Sequence, residues 1–152
     1  MSVWLISRFT ALDGRGGLIA SGRWHHAGRP IVYTAETPAG AIVEYRVHLE
    51  IDPEDIPRDA KLLCIDLPRG VLIAEIGELA RGWQDDESMT RALGDEWLRS
   101  GESPALRLPS AVVPHEWNVL LDPLHPTLRG MEPARVEPYV PDLRLFRNAP
   151  RR

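Results

Sequence analysis

An arginine, a tyrosine and a glutamate fall ten and eleven residues apart at Arg23, Tyr33 and Glu44, on either side of a Gly-Arg-Pro turn, and Ser110 and Asn118 follow in the segment LPSAVVPHEWNVLLDPLHP. A guanidinium offers paired donors to an anion, a phenol ring offers a flat wall with a polar edge, and a carboxylate offers a fixed negative charge. Each type also has an ordinary use. The arginine can pair with a surface acid, the tyrosine can pack its ring, and the glutamate can sit solvated on a helix. Spacing by itself does not choose between these readings.

Several chemistries lack their usual residues. The chain has no GxxxxGK[ST] phosphate loop, no HExxH, no GxSxG and no CxxC pair, which removes the common signatures of P-loop NTPases, zinc proteases, serine hydrolases and thiol redox enzymes. The GRGG stretch at 14–17 is not set in the βαβ spacing of a dinucleotide fingerprint. His25, His26, His115 and His125 lack zinc-site spacings, so no metal is expected. The net charge of −4 argues against direct binding of nucleic acid, which ordinarily requires a basic excess.

With 152 residues, 43% apolar and 26% charged, the chain fits one globular domain over 1–152. No apolar run approaches the roughly 20 residues of a membrane span, and the stretch Val3 to Ile6 is too short for a signal peptide. The lone cysteine, Cys64, lies in the apolar run LLCIDL, where it is expected to pack as a small hydrophobe. A cytoplasmic location is expected.

The elements that must position these residues are short, because 14 prolines and 12 glycines punctuate the chain. VWLIS (Val3 to Ser7), PIVYTAE (Pro30 to Glu36) and KLLCIDL (Lys61 to Leu67) read as strands, as do ALRLPSAVVP, EWNVLLDP and LRLFR (Leu143 to Arg147). The glycine-rich ALDGRGGLIASG reads as a loop that delivers Arg23. Thr37-Pro38 is a cap followed by a first-turn proline, which predicts a helix from about Ala39 to Leu49 although the same residues alternate as a strand would. Met89, Leu93 and Trp97 predict a second helix from Ser88 to the stop at Gly101. The expected class is α+β.

Four segments, taken together and in order, resemble the RES-domain family, the toxins of RES-Xre toxin–antitoxin pairs. They are SGRWHHAGRPIVYTAETPAGAIVEYRVHL, MTRALGDEWL, LPSAVVPHEWNVLLDPLHP and DLRLF. The chain departs from the family pattern at His25 and Asp122, where asparagine is usual. The resemblance implies a single domain with a central mixed or antiparallel sheet related to ADP-ribosyltransferases. It also implies consumption of NAD+ with release of nicotinamide by hydrolysis or by phosphorolysis, inorganic phosphate being the co-substrate in the latter. The active residues it carries over are Arg23, Tyr33 and Glu44, with Ser110; Asn118, and then Arg8, follow as further contacts to the dinucleotide.

Nicotinamide in NAD+ is already a cationic leaving group, so no general acid is needed, and one carboxylate beside the developing oxocarbenium ion suffices. Under the resemblance Glu44 has that role, Arg23 holds the pyrophosphate, and Tyr33 supplies an aromatic wall and a hydroxyl. Ser110 bonds the carboxamide or orients Glu44. The implied partner is an Xre-like antitoxin with a DNA-binding helix-turn-helix, in a toxin–antitoxin hetero-oligomer. Two other readings use the same residues: transfer of ADP-ribose to a protein, or a non-catalytic module that only binds a nucleotide or a partner.

Overall fold

The computed structural model describes residues 1–49 and 53–147. Among the described residues there are seven strands: β1 (Ser2–Ser7), β2 (Val32–Ala35), β3 (Lys61–Asp66), β4 (Ile73–Glu75), β5 (Ala105–Pro109), β6 (Trp117–Leu121) and β7 (Arg135–Pro138). They form one sheet in the order β4-β5-β6-β2-β1-β3-β7. Every pairing is antiparallel except β4 with β5. The class is α+β with a mixed sheet, as the sequence predicts.

Alternation along the strands divides the apolar residues between two faces. Val3, Val32, Leu63, Ile65, Val119 and Leu121 form one core with Leu12 and Leu128 from the loops. Leu106, Leu108 and Leu120 face the other way and pack with Trp24, Ile31, Trp97 and Leu98. Cys64 is buried and unpaired in β3.

Among the described residues three α-helices accompany the sheet: α1 (Gly16–Ile19), α2 (Pro38–His48) and α3 (Glu87–Ser100). Helix α2 forms because Thr37 caps it, its side chain accepting from the Gly40 N–H at 2.9 Å, and because Pro38 occupies the first turn. The local start signal prevails over the alternating pattern that follows it. Asp86 caps α3, and Gly101, at φ 60°, ends it in the left-handed conformation that glycine tolerates.

Helix α3 holds the turn that contains Arg23. Thr90 donates to the Arg23 carbonyl at 2.6 Å, Arg91 to the Gly22 carbonyl at 2.8 Å, and the His26 N–H to Asp95 at 3.0 Å. The close approach needs Gly94, where a Cβ would lie 2.7 Å from the Trp24 carbonyl carbon.

Some elements differ from expectation. LRLFR is a 3-10 turn over Leu143–Phe146 rather than a strand, because the Asp142 side chain accepts from the Arg144 N–H and curls the backbone. Phe146 is buried there while Leu143 and Leu145 are exposed. The loop before Arg23 contains the single turn α1. Strands β4 and β7, at the two edges of the sheet, have no counterpart in the sequence reading. The basic pair Arg151-Arg152 lies outside the described residues.

Candidate active site

Among the described residues β1 pairs with β2 only at Trp4↔Ala35, whereas it pairs with β3 along its whole length. The sheet is therefore split in its middle, and α2 packs against both β1 and β2 across the split. A cavity of about 170 Å³ opens there, with Trp4 and Ile6 of β1, Tyr33 of β2 and Asn118 of β6 in its walls. Ala41, Glu44, Tyr45 and His48 complete it, at the i, i+3, i+4, i+7 positions of one α2 face. A second cavity of about 550 Å³ shares Leu5 and Tyr33 with the first and extends over Phe9, Asp13, Arg15 and Ile19. Together they reach the size of small-molecule sites, ~300–1,000 Å³.

Among the described residues Glu44 is the one acidic side chain in the smaller cavity. Its Oε1 accepts from Ser110 Oγ at 2.9 Å and from Asn118 Nδ2 at 2.8 Å. The Ser110 oxygen accepts in turn from the Val112 and Val113 N–H groups, which fixes the direction of its own proton. Oε2 lies 3.8 Å from His48 Nε2, and the side chain retains 23% of its exposure. One carboxylate oxygen is thus held by two donors while the other stays accessible. Such charge-assisted hydrogen bonds hold the carboxylate in position.

The Tyr33 hydroxyl is bonded to the turn before β2. It accepts the Trp24 N–H at 3.1 Å and lies 2.7 Å from His25 Nδ1, so the hydroxyl is engaged within the protein and the ring is what the cleft receives. Burial pushes the Tyr33 hydroxyl far above the ordinary tyrosine range, the Trp24 N–H offsetting part of the effect.

The structure brings Glu44, Asn118 and Tyr33 to one cleft, with Ser110 behind the wall and bonded to Glu44; Arg23 and Arg8 stand outside the walls of both cavities. Arg23 donates to the Gln84 carbonyl at 2.8 Å and lies 3.8 Å from Glu87. Arg8 is bound through its Nε and Nη2 to Asp59 at 2.8–2.9 Å, a pairing that holds the Asp59 carboxyl below the usual range. Sequence reasoning missed His48 and Tyr45 in the wall. His48 was within reach of it, being four residues after Glu44 on the same helix face. Among the described residues no group of three or more His, Cys, Asp or Glu is placed to hold a metal, and no helix is long and apolar enough to cross a membrane.

A family model, the RES domain, matches residues 2–146. The chain belongs to the RES domain family. This RES domain is 46% identical over 146 residues to a protein named Toxin Res from Pseudomonas putida, which covers 96% of this chain and 100% of that one. It is 34% identical over 144 residues to the Prs ADP-ribosylating toxin of Sphingobium sp., covering 91% and 88%. Among solved structures, a chain of the M. tuberculosis MbcT-MbcA toxin-antitoxin complex superposes with a TM-score of 0.71 at 16% identity, over 95% of this RES domain and 86% of that chain. That likeness establishes the fold.

Proposed function

We propose that this RES domain is the toxin of a toxin–antitoxin pair and cleaves the nicotinamide–ribosyl bond of NAD+. The observation that carries the reading is Glu44, a carboxylate with one oxygen anchored by Ser110 and Asn118 and the other facing a cavity walled by an aromatic ring. The names of the Pseudomonas putida and Sphingobium relatives support it.

In the reaction the C1′–N1 bond breaks and its electron pair goes to the nicotinamide nitrogen, which leaves neutral. Positive charge gathers on C1′ and the ring oxygen of the ribose. A carboxylate about 4 Å away stabilises that charge by roughly 4 kcal/mol at an effective dielectric constant of about 20, which corresponds to about a thousandfold in rate. Water or inorganic phosphate then forms the new C1′–O bond, and water gives up its proton to solvent. The larger cavity gives room for the rest of the dinucleotide. Arg23 and Arg8 serve the pyrophosphate by exchanging their present partners, Glu87 with the Gln84 carbonyl, and Asp59, for phosphate oxygens. The proposed partner is an Xre-like antitoxin in the cytoplasm that covers the cleft, DNA being contacted by the antitoxin and not by this acidic chain.

The test is NAD+ loss, with nicotinamide and the ribosyl product identified, for wild type and Glu44→Gln, with and without phosphate. Glu44→Gln is expected to lose about a thousandfold while melting as the wild type does. Loss of NAD+ that is indifferent to Glu44 would overturn the assignment. Transfer to a protein is the second reading, favoured by the name of the Sphingobium relative. A labelled protein band that grows with nicotinamide release would select it.

A further inference from the structure

His25 is 2% exposed, and its ring nitrogens make three hydrogen-bond contacts, one of them to Tyr33, which lines both cavities. Nδ1 lies 2.7 Å from Tyr33 Oη and receives the Gly22 N–H at 3.2 Å; Nε2 lies 3.2 Å from the Gly17 carbonyl oxygen. These partners determine where the imidazole proton must be. A carbonyl oxygen only accepts, so Nε2 carries the proton and Nδ1 is left as an acceptor; the Gly22 N–H is shared between Nδ1 and the His25 carbonyl oxygen, 3.1 Å away. Tyr33 Oη already accepts from the Trp24 N–H, and its own proton points to Nδ1. The two rings meet through their edges at an interplanar angle of 50°, so a directed bond and not stacking relates them.

We propose that His25 is a positioning residue for Tyr33. Its Nδ1 holds the Tyr33 hydroxyl, and hence the plane of the ring that both cavities share, while its Nε2–H ties that bond to the glycine-rich segment bordering the larger cavity. The role of Tyr33 as the cleft wall rests on the proposed NAD+ cleavage; the hydrogen-bond arrangement does not. The site allows the lock no slack: a Cβ at Gly22 would strike Tyr33 Oη, and one at Gly17 would lie 3.1 Å from His25 Nε2. A ring that swings by an ångström moves the wall against which the nicotinamide riboside must lie. Misplacement of that size acts on the chemical step more than on binding.

Two near-isosteres separate the two ends of the imidazole. The amide of asparagine overlays Nδ1 and that of glutamine overlays Nε2. His25→Asn therefore keeps a partner for Tyr33 and drops Gly17, whereas His25→Gln keeps Gly17 and drops Tyr33. The experiment measures kcat and KM for NAD+ with melting temperature for both variants, for Tyr33→Phe, and for His25→Gln combined with Tyr33→Phe. The proposal expects His25→Asn to keep kcat within about threefold, and His25→Gln and Tyr33→Phe each to lose tenfold or more in kcat with KM little changed. The double variant should be no slower than the slower single one, since both remove the same bond. Melting losses with kcat intact in every variant would reduce His25 to a space-filling residue and overturn the proposal, as would His25→Asn falling with His25→Gln. Imidazole ¹⁵N shifts of the wild type decide the lock without any substrate: Nδ1 must read as a bonded acceptor and Nε2 as protonated. The opposite tautomer refutes it. If wild type leaves NAD+ intact while the shifts read as expected, the proposed reaction fails and the lock stands.

Discussion

Gly94→Ala pits two known effects against each other, and the structure decides the sign. In an exposed helix interior the change is stabilising by about 1 kcal/mol, because alanine has the better helix propensity. Here the new Cβ would lie 2.7 Å from the Trp24 carbonyl carbon and nearer still to its oxygen, while ordinary carbon–carbon contact is about 3.5 Å. The obstacle is backbone, so no rotamer change relieves it, and α3 and the turn must separate by at least about 0.8 Å. Overpacking of this kind costs typically 1–3 kcal/mol and occasionally more, and the separation also stretches the 2.6 Å and 2.8 Å bonds from Thr90 and Arg91 to that turn. The expected net loss is about 2 kcal/mol. For a domain of this length that lowers the melting temperature by roughly 4–8 °C. Thermal unfolding followed by circular dichroism measures it, and NAD+ turnover should fall as well, since the displaced Trp24 N–H is the donor to Tyr33. A variant that melts at or above the wild type would show that α3 does not clamp the turn, and the account of how Tyr33 is held would fail with it.

The two donors to Glu44 are expected to behave as one unit. Ser110→Ala and Asn118→Ala should each slow NAD+ turnover about tenfold or more, since a hydrogen bond to a charged group is worth ~1.5–3 kcal/mol, and the double variant should lose less than the product of the two. Steady-state kinetics of the three proteins tests this, and strictly multiplicative losses would count against a shared anchor. Ser110→Ala should also melt a few degrees lower because the Val112 and Val113 N–H groups lose their acceptor; Asn118→Ala lacks that second burden. Asp142 concerns acid stability. Its pairing with Arg144 and with the Arg144 N–H holds the carboxyl at about 2, below the ordinary 3.8. The unfolded chain thus binds the proton first, and the stabilisation is complete above pH 3.8 and is lost as pH falls through about 2. Asp142→Asn should lower the melting temperature at pH 7 and make little difference at pH 2; an equal difference at both would refute the assignment.

Legibility of the fold followed the strength of local signals. PIVYTAE and KLLCIDL are β-branched and apolar enough to announce central strands, and Thr37-Pro38 announces α2 despite the alternation after it. Ile73–Glu75 and Arg135–Pro138 gave no such sign. The first is three residues long, and the second is exposed at every position, with a proline and two charges that suit an edge strand. LRLFR reads as a strand from its apolar residues, but the Asp142 bond to the Arg144 N–H turns the chain there. In the site, Glu44, Ser110, Asn118 and Tyr33 could be named from motifs. Their division of labour could not, because it depends on contacts 66 to 74 residues apart in sequence, such as Ser110 and Asn118 meeting on one oxygen of Glu44. The engagement of the Tyr33 hydroxyl is a local contact by comparison, with His25 eight residues earlier in the turn before β2, yet no periodicity announces it.

The single rung between β1 and β2 has a mechanical meaning. The sheet is two plates, β4-β5-β6-β2 and β1-β3-β7, joined at Trp4↔Ala35 and bridged by the helix that carries Glu44. Twisting one plate against the other works against that one rung and the packing of α2, whereas each plate is laddered throughout. A molecule lodged in the gap and touching both sides would act as a splint, stiffening the whole sheet while it was bound. Amide hydrogens of β1 and β2 next to the gap should exchange sooner than those at the β1–β3 seam, and a bound dinucleotide should slow them. In such a design the void at the centre of the sheet is also its hinge, so filling the site and bracing the fold are one event.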